Sequence, residues 1–115
     1  MIQITPQQRL LIHVQPIDFR KGIDGLVGLC RKQLDPNPFS GTLFVFRNNK
    51  ATSVKLLTYD GTGFWLMQKR FSKGCLRFWP KNPEENICAT NLMVILNQGT
   101  PAEMQSSWRP LPSSA

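Results

Sequence analysis

Between Arg47 and Lys81 the chain places eight cations, Arg47, Lys50, Lys55, Lys69, Arg70, Lys73, Arg77 and Lys81, against one acid, Asp60. The whole chain of 115 residues carries a net charge of +7, so this stretch holds about all of the excess. Aromatic residues are interleaved with the cations: Phe44, Phe46, Tyr59, Phe64, Trp65, Phe71, Phe78 and Trp79. Such a mixture suits nucleic acid, because Lys and Arg neutralise phosphates while rings stack on bases. For the aromatics themselves the core is the favoured reading, since a domain this small needs them inside, with the cations keeping its surface soluble. One-signed charge is harder to assign to solubility, which mixed signs serve as well. Arg20 and Lys21 join the set. They fall at the head of an expected helix, where the dipole disfavours cations, and so point to an anionic partner.

Catalytic chemistry has little to draw on. Asp18, Asp24 and Asp60 invite comparison with the acidic clusters of metal-dependent nucleases. Asp18 and Asp24 are six apart on one expected helix, which puts them on different faces. Asp60 precedes Gly61, where an aspartate is expected for turn geometry alone. The single histidine, His13, lies in an apolar run and reads as a structural residue. Cys30, Cys75 and Cys88 are an odd number without a Cys-x-x-Cys pair, which argues against a disulfide framework or a zinc site and for a reducing cytoplasm. Asp60-Gly-Thr-Gly lacks the Lys-Ser/Thr that follows a phosphate-binding glycine loop. We therefore expect a non-enzyme with no cofactor and no metal. No apolar run approaches the roughly 20 residues that cross a bilayer, so no membrane role is expected.

The elements that must position the basic residues follow from periodicity. Apolar segments Leu43–Phe46, Val54–Tyr59, Phe64–Met67 and Leu76–Trp79 are separated by turn-type breaks, Asn48-Asn49-Lys50, Asp60-Gly61-Thr62-Gly63 and Ser72-Lys73-Gly74. This pattern predicts an antiparallel meander. Arg9–Val14 is an expected first strand, ended by Pro16. Asp18 is an expected N-cap for an amphipathic helix with Phe19, Ile23, Leu26, Val27, Cys30 and Leu34 on one face, stopped by Asp35-Pro36. Gly22, Gly25 and Gly28 form a stripe along it that would allow close approach to the sheet or to a partner. Thr90 opens a short helix closed by Gly99. The expected fold is α+β: a small antiparallel sheet of four to five strands, one amphipathic helix after the first strand and a short C-terminal helix. Residues 1–8 read as a loose leader, 9–99 as a single domain and 100–115 as a tail rich in Pro and Ser in which Trp108 could dock back.

Several blocks carry a resemblance. Phe39-Ser40-Gly41-Thr42-Leu43-Phe44-Val45-Phe46-Arg47, then Lys55-Leu56-Leu57 and Tyr59-Asp60-Gly61-Thr62-Gly63-Phe64-Trp65, then Lys69-Arg70-Phe71 and Trp79-Pro80, follow Asp18-Phe19-Arg20-Lys21-Gly22-Ile23-Asp24-Gly25-Leu26. Together, in this order across about residues 9–98, they resemble the TnpB-type accessory proteins encoded by the second open reading frame of the sixty-six group of bacterial insertion sequences. The resemblance implies an accessory protein of transposition that works beside a separately encoded transposase bearing the catalytic acids. Family members usually end soon after the second helix, so nothing is carried onto the tail.

Three functions remain open on the residues. In the first, a basic sheet face binds DNA, at transposon ends or target, through Arg20, Lys21, Arg47, Lys50, Lys55, Lys69, Arg70, Lys73 and Arg77. In the second, the chain is a protein adaptor that docks the transposase through the glycine stripe or an exposed aromatic patch. The third is RNA binding through the aromatic sheet.

Overall fold

A short strand, Leu10–Ile12 (β1), leads through a loop and an 11-residue helix, Ile23–Gln33 (α1), into a second strand, Leu43–Arg47 (β2). Because α1 carries the chain back across the sheet, β1 and β2 run parallel, with Leu10 beside Leu43 and Ile12 beside Val45. Ser53–Tyr59 (β3) and Phe64–Arg70 (β4) then follow as an antiparallel meander, and Ala89–Leu96 (α2) closes the order. The four strands lie in sequence order, β1-β2-β3-β4, in one sheet. This computed structural model describes residues 9–35, 37–82 and 87–100. The expected leader, and all of the expected tail beyond Thr100, including Trp108, lie outside them.

The architecture is α+β as expected, with two corrections. The sheet is mixed rather than wholly antiparallel, because a strand–helix–strand connection returns the chain in the same direction. Leu76–Trp79 is not a strand. Its apolar residues instead pack on the core: Leu76 is buried, and the half-buried Phe78 and Trp79 lie against the same cluster. The Trp79 indole N–H donates to the His13 carbonyl at 3.1 Å, which ties this segment across β1.

Both sheet faces are covered. Alternation in β2 sends Leu43 and Val45 to one side, where they join Val54, Leu56, Phe71, Leu76 and the α2 residues Leu92, Ile95 and Leu96. Phe44 and Phe46 point the other way, with Leu57, Ile17 and the α1 residues Leu26 and Cys30. The aromatics inside the sheet are therefore core. Phe44 and Phe46 are wholly buried, and no open aromatic platform remains across the sheet centre. Burial pushes the Cys30 thiol up to about 12, with the Asp35 charge adding to it.

The helix starts differ from expectation for identifiable reasons. The Asp18 carboxylate does not cap α1. It accepts from the Arg20 amide at 2.9 Å inside a tight turn, closed by Lys21 N–H donating to Asp18 O at 3.1 Å. The carbonyls of Phe19 and Lys21 are then taken by the Lys55 ammonium, at 2.8 and 3.1 Å, so helical bonding begins only at Gly22. In α2 the cap is Cys88 rather than Thr90. Its C-terminal reversal is made by Gln98, at φ 61°, and not by Gly99. The Gln98 side chain offsets that strain by donating to the carbonyls of Lys73 at 2.8 Å and Cys75 at 3.0 Å.

Candidate nucleic-acid interface

Register places the cations at one end of the sheet. Arg47 ends β2 beside Val54, and Arg70 ends β4 beside Ser53. Lys50 sits in the turn that joins β2 to β3, which Asn48 organises by accepting from the amides of Thr52 and Ser53 at 2.9 and 3.1 Å. Leu76 N–H donates to Ala51 O at 2.8 Å, so the loop holding Lys73 and Arg77 folds against the same turn. The opposite end holds the tight turn at Asp60 and an aromatic group, Phe39, Tyr59, Phe64 and Trp65. The molecule is thus polarised end to end rather than face to face.

Two adjoining clefts open at the basic end. One, of about 390 Å³, is lined by Arg47, Arg77 and Lys81 with Leu76, Phe78 and Trp79 among its apolar walls. The other, of about 520 Å³, is lined by Lys73, Arg77, Asn97 and Gln98, so Arg77 is shared between them. No carboxylate lies among the described lining residues of either cleft. The ion pairs among the described residues, Arg9–Asp35 at 3.3 Å and Arg20–Asp18 at 2.7 Å, do not involve Arg47, Lys73 or Arg77. The Arg47 guanidinium donates from Nη1 to Asn48 O at 3.2 Å, while its Nε is sealed from solvent without an acceptor. A buried donor left this way is unfavourable.

The nine residues expected to contact nucleic acid do not all belong to this end. Lys55 is 6% exposed, enclosed by the α1 approach with its ammonium 4.8 Å from the Phe19 ring centroid, so it lies off any surface a phosphate could track. Lys69 donates to the Leu96 carbonyl at 2.8 Å and the Asn97 side chain at 3.3 Å, which fastens β4 to the end of α2. Arg20 is held by Asp18 through both carboxylate oxygens, and this contact keeps the Asp18 carboxyl at about 2. Its charge is matched locally. Lys21 lies in the same loop, its side chain running alongside Gly25. Arg47, Lys50, Arg70, Lys73 and Arg77 remain as the basic end. Sequence reasoning left out one cleft residue, Lys81, which it counted in the charge run but not in the contact set. The signal was its place two residues after Trp79, whose ring forms the cleft wall.

His13 engages both ring nitrogens, with Gln15 O and Gln33 Oε1, each at 2.7 Å. It is a satisfied structural residue, as its apolar setting suggests. Among the described residues no group of three His, Cys, Asp or Glu is placed to hold a metal ion, and no helix is long and apolar enough to cross a membrane.

Two proteins of Sinorhizobium fredii (strain NBRC 101917 / NGR234) are similar to this chain. Uncharacterized protein y4hO is 32% identical over 105 residues, spanning 89% of this chain and 90% of its own length. Uncharacterized protein y4jC is 36% identical over 72 residues, covering 63% of this chain and 62% of the relative. No solved structure matches. The model of the IS66 Orf2-like proteins matches residues 8–106, taking in both helices, all four strands and the basic end, and the chain therefore belongs to that family of transposition-associated accessory proteins.

Proposed function

We propose that this protein binds DNA at the basic end of its sheet and thereby assists a separately encoded transposase. The observation that carries the reading is the grouping of Arg47, Arg77 and Lys81 around one cleft with no carboxylate among its described lining residues, and with Lys50, Arg70 and Lys73 alongside. Cations gathered at one end repel one another, and a polyanion relieves that repulsion. The contact is an end of the molecule, because α1 and α2 occupy the faces. Non-catalytic action in the cytoplasm fits the same picture.

A salt titration of binding to a random-sequence duplex of about 25 base pairs tests it. Neutralising about five phosphates gives a log–log slope near −4 to −5. Arg77→Ala and Lys81→Ala should each flatten that slope by about one unit and weaken all sequences alike. A slope shallower than about −2 would refute the DNA reading.

One observation favours the adaptor as a second reading. A Cβ added at Gly22 or Gly28 would meet nothing within 4 Å, and at Gly25 only the Lys21 side chain at 3.4 Å. The glycine stripe is not used for packing against the sheet, which leaves it open to a partner. Gly25→Leu would then abolish capture of the transposase and leave DNA affinity unchanged.

A further inference from the structure

We infer that β4 is a self-pairing edge, so that two copies of this chain join antiparallel through it into one continuous eight-stranded sheet. Among the described residues nothing pairs with the outer side of this seven-residue strand. The inner ladder fixes which groups are free. Phe71 N–H donates to Thr52 O at one end of the β3–β4 ladder, and Asp60 N–H donates to Gly63 O at the other, both at 3.0 Å. Alternation then turns the odd-numbered residues of β4 toward β3. Phe64, Leu66, Gln68 and Arg70 turn their N–H and C=O outward.

Side-chain chemistry selects the occupant. The strand reads Phe64-Trp65-Leu66-Met67-Gln68-Lys69-Arg70, with aromatics at one end and cations at the other. A parallel neighbour would set Lys69 and Arg70 against their own copies, which like charges oppose. An antiparallel copy centred on Met67 sets Trp65 opposite Lys69 and Phe64 opposite Arg70, each pair on one face of the sheet. This register uses all seven residues, and the four outward positions exchange about eight main-chain bonds. Arg70 is thereby brought beside the Phe64 ring of the other copy, and rings attract cations, while Lys69 stays fastened to Leu96 and Asn97. Trp65 is 41% exposed, and its indole N–H donates to Asp60 Oδ2 at 2.7 Å. The acid of one copy therefore lies at the end where the other copy brings its cations. Charges on an edge usually guard it against pairing. Here they are confined to one end, where an antiparallel copy converts them into attraction.

Sedimentation of the full chain without DNA, from about 5 to 200 µM, should show a species of twice 13.1 kDa rising with concentration. A monomer throughout overturns the inference and leaves the DNA reading untouched. Gln68→Pro removes one outward donor and no inner bond, so it should yield a monomer with the wild-type circular dichroism. A dimer that survives this change in a folded protein refutes pairing through β4. If Gln68→Pro does not fold, Met67→Cys in a Cys75→Ser background decides. Mild oxidation should cross-link most of that protein, at least fivefold more than Thr90→Cys on the exposed surface of α2, and equal cross-linking of the two would also overturn the inference.

Discussion

Lys55 has the charge of a DNA contact and the environment of a core residue. Its ammonium satisfies two carbonyls of the loop that leads into α1, so the residue works as a strut between β3 and that loop. Lys55→Met retains the apolar stem but leaves both carbonyls without their donor. Urea unfolding should show a loss of about 1–3 kcal/mol, while the salt dependence of DNA binding stays as in the wild type. Unchanged stability with a flattened slope would return Lys55 to the interface. Asp60 allows a second test. Donation from the Thr62 amide, then from the Trp65 indole and the Thr62 hydroxyl, holds its carboxyl at about 2, below the ordinary 3.8. A depressed folded value means that the contribution is complete above about pH 4 and disappears as pH falls through about 2. Melting temperature should therefore fall more steeply for wild type than for Asp60→Asn across that window. Parallel acid limbs would show that the charge is immaterial to the turn.

At the scale of elements, α1 is weakened by its own glycines. Gly25 and Gly28 lie inside the helix with room for a methyl group, and neither has a backbone conformation that excludes a side chain. Each replacement by Ala should stabilise the protein by about 0.5–1 kcal/mol, read as a raised urea midpoint at constant slope. A loss of stability would mean that the helix approaches some surface more closely than its packing on Phe44 and Phe46 requires. The stripe matters functionally only if a partner uses it, and the same two variants then weaken that contact while strengthening the fold. The strand β4 contrasts with α1. Its inner ladder to β3 is complete over seven pairs, and its outer side is the molecule's longest run of unshared backbone among the described strands.

The whole molecule is a two-ended object. Covering both faces of a four-stranded sheet consumes most of the aromatic residues, and what stays accessible is the two ends and the edges. Cations gather where β2 and β4 finish, and the aromatic group with Asp60 gathers where β3 turns into β4. DNA affinity should accordingly respond to the basic end alone. Arg77→Ala, on the cleft wall, should flatten the salt slope by about one unit, whereas Arg20→Ala, already neutralised by Asp18, should flatten it by less than half as much. Equal effects would place the α1 approach loop on the DNA as well.

The sequence by itself determined the family, the α+β class, the meander from Leu43 to Phe64 and beyond, and the sign of the charge. Each of these rests on local information: alternation with period two, Asp60-Gly61 at a turn where Gly61 takes φ 102°, and an uncompensated run of Lys and Arg. Tertiary structure alone decided the rest. The parallel entry of β1 depends on where α1 packs, and Leu76–Trp79 has the composition of a strand but finds its partners in the core and at the His13 carbonyl. Lys55 and Arg47 are both cations on adjacent strands, yet only the pairing of β3 with the loop before α1 buries one, and only the fold of the 72–81 segment builds a cleft around the other. Burial and hydrogen-bond partners are non-local quantities. A charge pattern read along the chain therefore gives the chemistry of a surface, but the folded chain decides which of its members reach it.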